Sequence, residues 1–431
     1  MQLPEPRELL TRVYQAAVLA ANPQQATRQA VKALEDLTPS VWVFAVGKGS
    51  HAMASGAVEA LRARNIRVAG GLVVAHEADA SATHGLDATE GDHPVPDTRS
   101  FEASDRLAHS LTQAGADADA IVLVSGGATS LIAAPMEGIS HRDLQDAFVA
   151  LLASGADIAL MNAVRKRFLR FGAGRLAVAL ASRRVLCRIA SDVVGNDTSS
   201  IASGPCVPDS SSARDVRARA ANVWLGLPSG VRKYLDAMAD GRIHDVPPPD
   251  HPRFKSTVVR VILDRSDAER GAAAAAKDLG LRVEIRPEPL SGDAATMGAR
   301  LTRQLMSRPR QGVECVIRSG ETTVSLGASS GRGGRCQELA LACAAELHSA
   351  SDKARGITVL AAGTDGRDGP TDAAGAIVDA TTWSEIQRNG IDPAAALRDH
   401  SAYDALESAG ALLKTGSTGT NVNDIVIALL Q

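Results

Sequence analysis

The chain has 431 residues, and 46 Lys plus Arg against 49 Asp plus Glu leave a formal charge of −3. That near-balance argues against a nucleic-acid binder held mainly by phosphate contacts, and 3% aromatics leave too few rings for a base-stacking platform. An apolar share of 45% argues against disorder over most of the length.

Residues 1–8 carry neither a basic start nor an apolar run, so no secretory signal is expected. Residues 8–20 are predicted helical. The run VWVFAV (41–46) is predicted as a strand, turning through Gly47-Lys48-Gly49-Ser50 into a helix. His93 follows in a proline-flanked loop, then helix 98–112. AIVLV (120–124) runs into Ser125-Gly126-Gly127, followed by helices 142–152 and 162–180. VLCRIA (185–190) runs into Ser191-Asp192 and Gly195-Asn196-Asp197. GRIHDVPPPDHP (241–252) is the linker candidate, since its prolines favour extended chain. Beyond it come helix 268–279, with Ser266-Asp267 as its cap, helix 293–306, strand 313–317, helix 335–348 and strand 357–362.

Apolar strands separated by helices indicate α/β architecture with sheets buried on both faces. One core rarely grows beyond roughly 250–300 residues, so two domains are expected. The division is 1–240 and 253–431 about the linker 241–252, each with a doubly wound, mostly parallel sheet and the active site in the cleft between them. No apolar run approaches the roughly 20 residues that span a bilayer, so no membrane partner is expected. Five scattered cysteines form no C-x-x-C pair, which disfavours a disulfide scaffold or structural zinc and suits a reducing cytoplasm. A homodimer is the default expectation for an enzyme of this size.

The turns after the strands hold Gly, Ser, Thr, Asn and Asp, with Lys48 and Arg335. Glycine lets backbone approach a phosphate, cations neutralise it and aspartate holds Mg²⁺, an inventory suited to phosphoryl transfer. Each piece has a plainer reading. The GKG turn is no Walker A loop and reads equally as a turn with a solvated lysine. Ser125-Gly126-Gly127 could be an ordinary tight turn, and no complete dinucleotide fingerprint is read from the chain. Residues 331–335 (GRGGR) are a flexible loop or an anion cradle. Asp365, Asp368 and Asp372 fit simple turn chemistry or a magnesium or hydroxyl role. For His93 a structural role is the preferred reading. No H-E-x-x-H or G-x-S-x-G pattern is present.

Taken in order, the segments VFAVGKGS, GDHPVPD, VLVSGGATSL, NAVRKRF, SDVVGNDTSSIASGP, SGETTVSL, GRGGRCQELAL, AAGTDGRDGPTDAAG and TGSTGTNVNDI resemble the glycerate 2-kinase family. In that family a large domain precedes a smaller one called MOFRL. The resemblance covers residues 43–425 and implies an ATP- and Mg²⁺-dependent kinase making 2-phosphoglycerate from D-glycerate. Some relatives carry the label hydroxypyruvate reductase, so an NAD(P)H-dependent reductase is the alternative.

By position, the resemblance implies that Lys48 contacts the phosphoryl group or substrate, and that Asp192 binds metal or takes the hydroxyl proton. Arg335 would clamp the glycerate carboxylate or the phosphate. Ser125, Gly126 and Gly127 would wrap phosphate or substrate, with Asn196, Asp197 and Ser203 lining the cleft. Glu321, Asp365 and Asn421 would be supplied by the C-terminal domain. Two positions depart from the family pattern: Cys336 stands where asparagine is usual, and Leu263-Asp264-Arg265 replaces a Gly-Asp-Asn turn. The central expectation is that Lys48, Asp192 and Arg335 share one crevice.

Overall fold

The computed structural model describes residues 4–77, 85–309, 312–326 and 331–431. The chain forms two units: residues 23–262, and the first 22 residues together with 263–431.

In the unit of residues 23–262 six strands form one sheet: β1 (Ser40–Val46), β2 (Arg67–Ala75), β3 (Asp87–Glu90), β4 (Asp119–Val124), β5 (Val185–Ala190) and β6 (Thr257–Leu263). Their order is β3-β2-β1-β4-β5-β6. The pairs β2–β3, β1–β2, β1–β4 and β4–β5 are parallel. This is the order of a doubly wound dinucleotide-type sheet. The winding reverses between β1 and β4, which pair in register from Val41↔Asp119 to Val46↔Val124. Every residue of β4 and β5 is buried, as the unbroken apolar runs predicted. Phe44, Val46, Leu107, Val122, Val124 and Ile189 pack on one face of the sheet. A separate helical core gathers Phe148, Leu151, Val164, Phe168 and Trp224.

One predicted helix breaks. Residues 162–180 form Ile158–Phe168 and Arg175–Ala179, because Ala173 (φ 51°) and Gly174 (φ 81°) turn the chain through left-handed backbone between them. Asp157 caps the first of these, accepting from Leu160 N at 2.7 Å.

The second unit carries β7 (Arg282–Ile285), β8 (Glu314–Gly320), β9 (Ile357–Gly363), β10 (Gly375–Asp379), β11 (Leu412–Leu413) and β12 (Asp424–Leu430), in the order β11-β10-β9-β12-β8-β7. Here the expectation of a mostly parallel sheet fails. Among the described strand pairs only β7–β8 is parallel; β12 runs antiparallel to both β8 and β9, and β10 antiparallel to β9 and β11. The cause is physical. Strands β8, β9 and β12 are buried along their whole length. A strand covered on both faces shows the same apolar run whichever way its neighbours point.

The unit boundary also differs from the expected linker. Residues 241–252 are tied into the first unit: Asp245 accepts from Ala213 N at 2.6 Å and lies 3.6 Å from Arg167 Nε, and Val246 is buried. The chain then adds β6 to the first sheet before it changes unit. At the other end, helix Pro6–Ala20 belongs with the second unit. Tyr14 donates to Gly363 O (2.7 Å), Arg7 to Leu412 O (2.9 Å), and a methyl at Gly271 would meet Ala20 Cβ at 2.3 Å.

The atypical Leu263-Asp264-Arg265 turn acquires a structural role. Asp264, rather than Ser266 or Asp267, caps helix Arg265–Asp278, accepting from Ser266 N at 2.8 Å, while Asp267 reaches back to Asp264 N at 2.9 Å. Asp264→Ala should therefore lower stability by about 1 kcal/mol in a denaturant titration, with activity retained. All five cysteines are free and buried. No helix among the described residues is long and apolar enough to cross a membrane.

Candidate active site

Ligands of open α/β sheets bind beyond the carboxyl ends of the strands, where the winding reverses. In the first unit that point lies between Val46 and Val124, and the two turns that follow are bonded together. Lys48 N donates to Gly126 O and Gly49 N to Ser125 Oγ, both at 2.9 Å. Gly47 has φ 128°, and a methyl on it would stand 2.2 Å from Ser125 Oγ. Only glycine lets the turns approach this closely.

The same contacts gather the side chains. A methyl on Gly126 would stand 2.0 Å from Asp192 Oδ2. One on Gly127 would meet His93 Cδ2 at 3.1 Å and Lys48 Cγ at 3.4 Å. Lys48, His93 and Asp192 therefore converge over the Gly126-Gly127 floor. Burial, with Lys48 and His76 nearby, lowers His93 to about 4, so the ring is neutral at pH 7 beside the lysine. His93, read from the sequence as structural, is part of this group. Gly126→Ala should displace the Asp192 carboxylate, costing about 1–3 kcal/mol of stability and lowering turnover in a coupled assay.

The segment after Asp192 is built from its own polar groups. Asn196 has φ 55°. Asp197 does not point to an open ligand role: it accepts from Ser200 Oγ (2.5 Å), Ser199 N (3.0 Å) and Ser199 Oγ (3.1 Å). Burial disfavours its charge, but these bonds outweigh burial and hold it below the usual carboxylate range. Ser203 is buried, with its Oγ 3.1 Å from Thr129 Oγ1, which ties the segment to the helix that follows Gly127.

The second unit holds Arg335, at the start of helix Arg335–Ser349. Two acids hold it. Asp424 accepts from Nε at 2.6 Å and Nη2 at 3.0 Å, and Glu321 accepts from Nη1 at 2.5 Å. Burial opposes the charge on Arg335, but Asp424 and Glu321 outweigh it and raise the guanidinium further above its ordinary value. Burial pushes Asp424 up to about 6 against the pull of Arg335, and the Cys336 thiol lies on the same carboxylate. Glu321 also accepts from Asn423 Nδ2 at 3.1 Å. Thus Asn423 supplies that contact, while Asn421 sits half-buried two residues earlier. Asp365 lies beside Asp424 at Gly363, its Oδ1 accepting from Arg367 N at 3.0 Å.

Sequence reading left open an anion cradle at residues 331–335. The chain fills it itself: Asp368 accepts from Gln337 N (2.7 Å) and Cys336 N (3.1 Å) at the helix N-terminus. Burial and then Asp424 raise Asp368 to about 7. Asp372 is spent on Tyr403 Oη (2.6 Å) and Lys414 Nζ (3.2 Å). The three aspartates of that loop therefore serve separate ends. No group of three or more His, Cys, Asp or Glu among the described residues could hold a metal ion. The donors fit only an ion that arrives on phosphates and takes one or two protein carboxylates.

The β1 turn also corrects a sequence reading. Gly47-Lys48-Gly49-Ser50-His51-Ala52 fits the alanine-ended dinucleotide fingerprint, G-x-G-x-x-A. Its amides are spent, however: Lys48 and Gly49 N–H bond to the Ser125-Gly126 turn, and Ser50 N–H bonds to Gly47 O at 3.1 Å. A pyrophosphate would need those donors.

Residues 9–236 match the domain of unknown function DUF4147, and residues 314–424 match the MOFRL family. A glycerate 2-kinase of Pyrococcus horikoshii is 32% identical, over 98% of this chain and 97% of its own length. A protein of Agrobacterium vitis, named only provisionally as a hydroxypyruvate reductase, is 35% identical over 98% of this chain and 94% of its own. The crystal structure of a glycerate kinase from Thermotoga maritima superposes with a TM-score of 0.84 at 32% identity, covering 99% of each chain. With both models matched in order and likeness along nearly its whole length, the chain belongs to the glycerate kinase family that joins a DUF4147 domain to a MOFRL segment.

Proposed function

We propose that the chain transfers the γ-phosphoryl group of ATP to the C2 hydroxyl of D-glycerate. The observation that carries this reading is the meeting of Lys48 and Asp192 over the Gly126-Gly127 floor at the strand ends. The C2 hydroxyl attacks phosphorus in line. Asp192 orients that hydroxyl and accepts its proton late, and the Lys48 ammonium offsets charge gathering on the phosphoryl oxygens. Neutral His93 leaves Lys48 as the cation at this spot. Arg335, held by two carboxylates, is a fixed cation rather than a mobile clamp. Mg²⁺ carried on the nucleotide would supply further neutralisation of the phosphates.

The test is proton-coupled phosphorus NMR of the product from MgATP and D-glycerate. A doublet, from one proton on C2, is expected; a triplet would place the phosphate on C3. NADH oxidation by hydroxypyruvate, with no ADP formed from glycerate, would overturn the kinase reading.

A further inference from the structure

Helix Ile158–Phe168 carries three buried cations in a row, and two of them have acids. Lys166 Nζ lies 2.9 Å from Asp209, and Arg167 lies 3.6 Å from both Asp209 and Asp245. The third, Arg165, is only 9% exposed, and among the described residues no carboxylate stands within ion-pair distance of it. Its guanidinium lies 4.5 Å over the Phe148 ring, and its Nε is buried with no hydrogen-bond partner. Among the described residues its one side-chain hydrogen bond is to Asn162 Oδ1, at 3.5 Å. Burial alone draws its pKa down to about 10. A buried cation without a counter-charge is costly, and the aromatic face returns only part of that cost.

The surroundings connect this cation to the candidate active site. Asn162 Nδ2 donates to Ser200 O at 3.3 Å, and Ser203, three residues on, meets Thr129 Oγ1. Thr129 follows Gly127 by two residues. The Arg165–Asn162 pair thus backs the segment that follows Asp192. The resemblance implies that Arg335 clamps the substrate carboxylate or the phosphate, and in this structure Arg335 pairs with Asp424 and Glu321.

We propose that Arg165, stacked on Phe148 and flanked by Asn162, is the carboxylate-recognition residue for a small 2-hydroxy acid. The inference rests on the kinase reading for the identity of that acid. The planar guanidinium is oriented by the ring and presents forked donors that match a carboxylate, and the absent counter-charge would arrive with the substrate.

The test compares the full-length protein with Arg165→Met and Arg165→Lys. Thermal melts check folding, and calorimetry measures D-glycerate binding without nucleotide. Steady-state kinetics are run with D-glycerate and with glycerol, which has the hydroxyls but no carboxylate. Arg165→Met should raise KM for D-glycerate by about 10²-fold, with kcat and KM for MgATP within about threefold. The preference for D-glycerate over glycerol should shrink by a similar factor. Arg165→Lys should fall between, since a point charge remains but the fork is lost. A folded Arg165→Met with unchanged KM for D-glycerate overturns the proposal. Should that variant not fold, Arg165→Lys decides: a rise of about tenfold supports the assignment and an unchanged KM refutes it. Should the wild type not phosphorylate glycerate, the kinase reading fails by itself. Calorimetric binding of D-glycerate that Arg165→Lys weakens would still support the carboxylate site, and binding it leaves unchanged would refute it.

Discussion

Lys48→Ala is expected to leave the protein folded and to lower kcat by about 10²–10³-fold, the usual loss when one positioned charge is removed from such a site. The side chain is exposed, and it is the backbone N–H of Lys48 that bonds Gly126 O. Truncation therefore removes an ammonium without undoing the turn. A second signature separates this from general damage. Lys48 is one of the groups that depress His93, so in Lys48→Ala the imidazole should titrate higher, as read by NMR of the ring protons. For a histidine with a depressed pKa, stability is present above the unfolded value and is lost as pH falls through the folded one. The wild type should therefore lose stability between about pH 6.5 and 4, and Lys48→Ala should lose less. A variant with near-normal kcat would refute the catalytic role of Lys48.

Arg335→Ala should behave differently, losing both turnover and stability. Removing the guanidinium leaves the buried Asp424 carboxylate without its main partner; the Arg335 side chain is itself 35% exposed, so water offsets part of the loss and a cost of about 1–3 kcal/mol is expected. The pH dependence follows from sign. Asp424 already sits up at about 6, above its unfolded value. A group raised in the fold contributes stability that is complete at low pH and is lost as pH climbs through the folded value. Without Arg335 that value rises further, because its main stabilising partner is gone. The stability deficit of the variant should therefore be small near pH 5 and grow toward pH 8. Thermal melts at the two pH values check this, and equal deficits would show that the ion pair is not the cause. Arg335→Lys keeps one charge and should recover part of the stability but not the two-pronged grip on Asp424.

The contrast between these two residues shows what the sequence could and could not carry. Strand β5 was legible at both ends, and the β1 and β4 runs to within a residue, because a fully buried strand leaves an uninterrupted apolar run. Once those strands are placed, the turns holding Lys48 and Gly126 must lie at their carboxyl ends. The partners of Arg335 were harder to see. Asp424 opens β12 some ninety positions away and reads there as an ordinary strand residue. Asn423 reaches Glu321 because its backbone is left-handed at φ 70°, which no motif announces. Asp368 looked like turn chemistry and caps a helix from another loop. Arg165 reads as one more basic residue in NAVRKRF, and what distinguishes it from the equally buried Lys166 and Arg167 is that those two meet acids. Strand direction in the second sheet was hidden for the converse reason, since full burial erases the alternation that orientation arguments use.

The placement of helix Pro6–Ala20 bears on how the chain is assembled. Its closing bond, from Thr420 Oγ1 to Ala21 O, joins groups 399 positions apart. A ribosome therefore releases this helix long before the strand end that it docks against. In the interval the intervening 240 residues can fold by themselves, while the apolar stripe Leu9, Leu10, Val13 and Ala17 waits uncovered. The late-forming half should accordingly be the slow, concentration-sensitive step in refolding from denaturant, and a fragment starting at residue 263 should be prone to clumping unless the peptide 1–22 is added back.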